Sequence, residues 1–350
     1  MGHMKQLWTR LAGTLGAWEA SYRTRSLGPF EPTRWVWSRG LALCCDHNGG
    51  LTFVRGQRGS RAPLRFDARV FESVRDGDLV WMRLHALPQF VREALPRIQG
   101  RFALLTGDED WSIPGSFAQS RELLENPKLV YWFSQNLDAG AKHPKLRGLP
   151  IGLDYHTISN GPRWGHAQAT PAEQEAELEL LRSCMPPTEE RLLSAHADFH
   201  FHKPAGRPKN QTGCDDRDSV GYALQGNASV VFQAKPLRRI DLWREKTRYA
   251  FVVSPHGHGL DCHRTWESLV LGNIVIVKRS SLDPLYEGLP VVIIDDWREI
   301  TPPNLWRWKD EHAAAFSRPE VTERLTNRYW IDRARALLAA ELGVSRSHKT

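Results

Sequence analysis

The 350-residue sequence is poor in cysteine, and the five it has are scattered: Cys44, Cys45, Cys184, Cys214 and Cys262. No Cys-x-x-Cys pair occurs, so neither a disulfide framework nor a cysteine-closed zinc site is encoded, and a reducing compartment is expected. No run of about 18 apolar residues exists to span a bilayer, and no apolar signal-peptide core follows the first residues. The expected setting is cytoplasmic, with peripheral association at the inner face of a membrane still allowed. The opening Met-Gly-His-Met reads as a cloning remnant before Met4. Internal repeats and low-complexity tracts are absent, which excludes solenoids. Motifs that read RNA or DNA are absent too, so no nucleic-acid partner is expected.

Charge and aromatic residues are plentiful. Lys and Arg number 47 against 40 Asp and Glu, a formal net charge of +7 that favours an anionic partner. Part of it is local, with Arg55, Arg58, Arg61 and Arg65 on one loop that reads as a solvated hairpin tip. Fourteen tryptophans are many for this length, and core or interdomain packing is their expected use. A chain this long exceeds one typical core, so two domains are expected, residues 1–190 and 191–350.

Apolar periodicity organises the chain. Leu7, Leu11, Leu15 and Trp18 form a helical stripe near the start. Short strand-like runs follow, each ending in polar residues: "RFALLTGDED", "KLVYWFSQN" and "LRGLPIGLDYH". Strands of this kind alternating with helices predict parallel α/β sheets. Residues 155–171 read as a loop or linker. Thr170 and Pro171 then open a clear helix through Cys184, as cap and first residue. A second α/β series starts at Arg191, and the last helix has the option of packing back on the first domain.

The most informative stretch is "YAFVVSPHGHGLDCHRTWESLVLGNIVIVK", Tyr249 to Lys278. It predicts a buried strand ending at Pro255, a turn over His256–Gly259, a helix capped by Asp261 and stopped by Gly272, and a second buried strand. Such a unit places a helix N-terminus at the carboxyl edge of a parallel sheet, where amides uncovered by Gly257 and Gly259 would hold an anion. Arg264 sits in the first helical turn, where the macrodipole disfavours a cation, so an anion beside it is implied. Glu267 shares its face, and either binds a ribose or simply pairs with Arg264. A metal on His256, His258, Cys262 and His263 is disfavoured, because Cys and His side by side at a helix start point apart.

This stretch resembles the exostosin-like glycosyltransferases, whose nucleotide-binding domain carries F-x-x-x-P-x-G, then R-x-x-E, then a strand. Phe251, Pro255, Gly257, Arg264 and Glu267 stand at those positions, while Val275 stands where relatives carry proline. The specific match covers about residues 245–300, with a weaker one at about 126–157. The resemblance implies a GT-B-like α/β fold of two facing Rossmann-like domains with parallel sheets and an interdomain cleft. It implies sugar transfer from a nucleotide-sugar donor, a UDP- or GDP-sugar, to a glycan or other hydroxyl acceptor, with no metal or other cofactor required. Glu267 would bind the ribose, Arg264 would lie near the diphosphate or base, and His256, Gly257, His258 and Gly259 would close over the donor.

Lys235, Arg238 and Arg239 are candidates to stabilise the departing diphosphate, ahead of Lys246 and Arg248. An inverting transfer needs a general base, and Asp154, His156 and Asp110 stand just past strand ends where one would be expected. His143, Gln135 and Asn136 are placed on the same edge. Two other readings stay open. Asp108-Glu109-Asp110 after an apolar strand is the pattern of a metal-dependent GT-A glycosyltransferase. A non-catalytic basic binder of nucleic acid or an anionic glycan would use the net charge alone.

Overall fold

The computed structural model describes residues 33–50, 53–54, 66–199 and 217–343. The helical stripe of residues 7–18, the arginine-rich loop and Cys214 lie outside them.

Two parallel sheets organise these residues. The first has four strands in the order β1-β2-β3-β4, with β1 at Leu79–Arg83, β2 at Phe102–Gly107, β3 at Leu129–Ser134 and β4 at Leu146–Gly148. The second has five in the order β6-β5-β7-β8-β9, with β5 at Leu192–Ala197, β6 at Val230–Phe232, β7 at Tyr249–Val253, β8 at Ile274–Lys278 and β9 at Val291–Ile294. Every pairing within them is parallel. Helices cover such sheets on both faces, which is why β1, β2 and β7 are buried throughout and are apolar for most of their length. The chain is therefore an α/β protein of two Rossmann-like units.

The helices used below are α1 (Ser38–Cys44), α2 (Ser120–Glu125), α3 (Tyr155–Ser159), α4 (Pro171–Cys184), α5 (Arg217–Leu224), α6 (Arg239–Lys246), α7 (His263–Val270), α8 (Pro302–His312), α9 (Pro319–Arg324) and α10 (Asn327–Leu342). Helix α4 starts at a complete capping box: the Thr170 hydroxyl accepts from the Glu173 amide, and Glu173 reaches back to the Thr170 amide. Residues 155–171 are not all loop. Asp154 caps the short helix α3 by accepting from the Thr157 amide at 3.0 Å.

Helix α10 lies against the first sheet. Arg335 forms an ion pair with Asp46 at 2.9 Å, and the Tyr131 hydroxyl donates to Glu341 at 3.1 Å. The tryptophans lie mainly inside: Trp35, Trp37, Trp81, Trp132, Trp243 and Trp266 are all essentially inaccessible. Trp266 of α7 meets Trp330 of α10 edge to face at 6.2 Å. Truncating such a ring costs about 3–5 kcal/mol, so these contacts weigh heavily in joining the C-terminal helix to the sheets. Among the described residues no helix is long and apolar enough to cross a membrane.

Candidate active site

In the second sheet the chain order reverses between β5 and β7, and ligands of open α/β sheets bind outside the carboxyl ends at such a switch point. Asp198 leaves the end of β5 there, and the turn Ser254–Cys262 leaves the end of β7. Asp198 is buried and holds two cations: Arg264 of α7 donates to Oδ1, and Lys246 of α6 reaches Oδ2 at 2.9 Å. Burial alone would raise the carboxyl, but these two charges dominate and hold it well below the usual carboxylate range. Arg264 keeps its own charge for the same reason: burial opposes ionisation and Asp198 outweighs it.

A third cation, Arg217, opens α5 and donates to the His256 carbonyl at 3.4 Å. Burial and then Arg264 depress its pKa. Among these described side chains, three cations against one carboxylate leave a formal surplus of +2 at the switch point (3 − 1). The Arg264 Nη1 atom is buried with no hydrogen-bond partner among the described residues. A buried donor without an acceptor costs about 1–3 kcal/mol, which a bound anion would recover.

The turn itself is built differently from the sequence expectation. The Gly257 amide donates to the Gly259 carbonyl at 3.0 Å and is therefore spent within the turn. The glycines answer a packing need instead. A Cβ on Gly257 would stand 2.9 Å from the Cys262 sulfur, and one on Gly259 would stand 2.9 Å from the Asn136 side chain. Asn136 follows β3 with φ +54° and clamps the turn onto the first sheet, donating to the Glu109 carbonyl and accepting from the Asp261 amide at 2.8 Å. His256 is buried against the Leu260 carbonyl at 2.7 Å, and His258 is exposed.

Asp261 is not the helix cap. Cys262 occupies that position, without a side-chain capping bond. Asp261 lies one residue earlier, wholly buried, and accepts from the Ile151 and Cys262 amides and the Trp266 indole, each at 2.8–2.9 Å. Burial pushes its carboxyl up to about 6 despite those donors. The bond from Ile151 joins the segment after β4 to the segment after β7, so the carboxyl edges of the two sheets meet here. A local rule assigned Asp261 to its own helix, but the approach of the other sheet claimed its carboxylate.

The same meeting line gathers Asp154, His156 and His263. His156 Nδ1 lies 3.0 Å from Asp154 Oδ1, and the two imidazole rings are 5.5 Å apart. His263 Nδ1 lies 2.7 Å from the Gly152 carbonyl, so it carries the proton and donates. Asp154 is buried. Burial would raise its carboxyl, but His156, His263 and Arg239 hold it well below the usual range. Among the described residues His256, His258 and Cys262 form no metal-ligating group with His263.

Arg239 is a buried hub rather than a solvent-facing cation. It donates to the Asp154 carbonyl, to Gln174 of α4 at 2.7 Å and to Glu267 of α7 at 3.0 Å. The Trp243 indole donates to the other Glu267 oxygen at 3.2 Å. The alternative Arg264–Glu267 pair is not formed, since each residue has a more distant partner in sequence. Glu267 keeps one lone pair on each oxygen beyond these bonds.

The remaining candidates scatter. Asp108, φ +66°, is buried between Arg83 at 2.6 Å and Arg39 at 3.4 Å, and Glu109 meets His85 at 2.6 Å. Asp108 is thus committed to two arginines and Glu109 to a histidine, which removes the geometry of an Asp-x-Asp metal clamp. Asp110 is exposed. Lys235 and Arg238 are also exposed, and Arg238 pairs with Asp241 at 2.6 Å. Lys246 lies in the interior on Asp198, and Arg248 pairs on the surface with Glu245 at 2.8 Å. Gln135 is buried and accepts from the Asp108 amide, while His143 Nδ1 accepts from the Lys145 amide at 3.2 Å.

Sequence reasoning missed Asp198, Arg217 and the pairing of His263 with His156. Asp198 had a usable signal, an acid directly after an apolar strand, the same signal that drew attention to Asp108. Arg217 and the histidine pair had none, because their partners are remote in sequence.

No known family profile matches the chain, and no curated protein matches it either. Solved structures do align loosely. A UDP-forming α,α-trehalose-phosphate synthase from Burkholderia vietnamiensis aligns with 13% identity and a TM-score of 0.40, over 79% of this chain and 76% of that one. The corresponding enzyme from Burkholderia multivorans has 15% identity and a TM-score of 0.35, over 80% and 78%. That from Burkholderia xenovorans in complex with glucose-6-phosphate has 13% and 0.35, over 79% and 76%. At such identities and TM-scores the likeness assigns no activity, and the functional reading rests on the site.

Proposed function

We propose that this chain is a nucleotide-sugar-dependent glycosyltransferase of the exostosin-like, GT-B kind. Residues 1–190 present the acceptor and residues 191–350 hold a UDP- or GDP-sugar. The observation that carries this reading is the surplus positive charge around Asp198, next to an Arg264 Nη1 that has no hydrogen-bond partner among the described residues. A nucleoside diphosphate carries charge of the matching sign and size. As the glycosidic bond breaks, negative charge grows on the leaving diphosphate, and pre-oriented cations in a dry site stabilise it without reorganising. Arg264 and Arg217 contact it, while Lys246 keeps Asp198 from neutralising Arg264. No metal is needed at the phosphates.

Glu267 uses its remaining lone pairs for the ribose hydroxyls, with Arg239 and Trp243 fixing its orientation. His256, Gly257, His258 and Gly259 form the lip over the donor, and Lys235 and Arg238 add a solvated positive rim. His156 serves as general base. Asp154, 3.0 Å from Nδ1, favours the proton on that nitrogen, which leaves the Nε2 lone pair for the acceptor hydroxyl. Asp154 thus acts through His156, and exposed Asp110 stays at the margin as an acceptor-side carboxylate.

Thermal shift with UDP, GDP, ADP, CMP and TDP tests the reading. UDP or GDP raises Tm in the wild type, and Arg264→Ala removes most of the shift. Absence of a shift with every nucleotide would overturn it.

A further inference from the structure

We propose that Asp154, His156 and His263 form a binding site for one divalent transition-metal cation, of the zinc, cobalt or nickel class. One ligand-capable atom from each lies within 4.8 Å of the others, and the three residues come from two elements that meet only through the packing of the sheets. Bonds of about 2.0–2.1 Å to a central ion need only a modest inward shift from that spacing.

The His263 tautomer already suits a metal. The Gly152 carbonyl can only accept, so His263 Nδ1 is protonated and its Nε2 carries a lone pair. His156 Nδ1 lies 3.0 Å from Asp154 Oδ1, so that nitrogen and the carboxylate share one side of the ring and would bind a cation together once the cation displaces the Nδ1 proton. Fixing one ring nitrogen with a carbonyl or carboxylate is how proteins orient metal-binding imidazoles.

Charge bookkeeping points the same way. Arg239 is paired with Glu267 and touches Asp154 only at its backbone carbonyl. Among the described residues the buried Asp154 carboxylate therefore forms no ion pair except with the His156 imidazole. A buried anion whose fixed cation acts on it only from a distance is costly, and a cation held directly by the carboxylate and the two imidazoles would offset that cost. Two imidazoles and one carboxylate select transition metals over calcium or magnesium, and leave a coordination position open.

Occupancy has a consequence that rests on the transferase reading. A metal on His156 Nδ1 draws electron density from the ring and lowers the basicity of the Nε2 that would take the acceptor proton, so the cation works as a reversible brake on transfer.

The test uses the full chain without an affinity tag, stripped with EDTA and dialysed. Cobalt is titrated and its visible d–d band recorded, and zinc binding is measured by calorimetry. One equivalent binds to the wild type. His156→Gln and His263→Gln, which keep side-chain polarity and fold as judged by circular dichroism, each weaken binding by roughly 100-fold or more. His312→Gln leaves it unchanged. Absence of a stoichiometric site, or full binding in both variants, would overturn the proposal. If metal binds and EDTA restores zinc-inhibited transfer, both the site and the brake stand. If metal binds and no nucleotide does, the site stands and the transferase reading fails. If transfer requires the metal, the site stands and the base assignment for His156 fails.

Discussion

Asp108 and Asp198 invite comparison because they are built alike. Each is a buried aspartate just past a parallel strand, β2 in one sheet and β5 in the other, and each lies between two cations. The difference lies in what the cations do with their other donors. Arg83 spends Nε and Nη2 on the Phe53 and Val54 carbonyls at 3.2 and 2.6 Å, so its fork is filled from three directions. Arg264 retains a buried Nη1 with no hydrogen-bond partner among the described residues and has Arg217 close enough to repel it. One cluster is sealed and holds a loop, whereas the other carries charge and a donor to spare at a switch point. Electrostatics alone would not separate them.

The largest expected effects test the clusters themselves. Asp108→Ala and Asp198→Ala each leave two buried cations uncompensated and should cost about 3–5 kcal/mol in urea unfolding. Pyrophosphate should restore part of the loss in Asp198→Ala and none in Asp108→Ala. Equal rescue of the two would erase the distinction between sealed and open.

Helix α4, which runs between the two sheets, supplies a pH test independent of both clusters. Glu175 accepts from the Arg34 and Trp35 amides and the Tyr155 hydroxyl, yet burial pushes its carboxyl up to about 7. A carboxyl with a raised folded pKa favours the native state most when protonated. Its contribution is complete below the ordinary value near 4.5 and declines as pH rises through about 7. The loss should approach roughly 3 kcal/mol between those limits. Glu175→Gln should flatten that slope in urea midpoints measured from pH 5 to 7.5, and an unchanged slope would contradict the assignment.

Arg264→Ala should slow transfer by on the order of 100-fold, about 2.7 kcal/mol, with a much smaller change in stability because Lys246 still covers Asp198. Arg217→Ala should weaken nucleotide binding by roughly tenfold, about 1.4 kcal/mol, and reduce its salt dependence. Asp110→Asn, on the exposed margin, should alter kcat/KM by less than about twofold, and a larger drop would move the base away from His156.

Much of the scaffold could be read before the fold was known. The Val- and Ile-rich run around Val252, the left-handed stop at Gly272 and the Thr170 cap each follow from interactions within a few residues. The site was legible in part. Arg264 stood out as a cation at the wrong end of a helix, and its ionic partner proved to be Asp198, 66 positions away. The glycine turn was misjudged in purpose: its amide is consumed internally, and its missing side chains make room for Asn136 and Cys262.

The amino-acid sequence by itself determined the strands, the helices and the chemical types that would line their carboxyl edges. Short-range periodicity and capping act within one element and need no partner. Tertiary structure alone decided which of those side chains would be left with unspent charge. Asp261 became a fastener for Ile151, Arg239 a hub for Asp154 and Glu267, and His263 the neighbour of His156, because hydrogen-bond partners are assigned only when the two sheets meet.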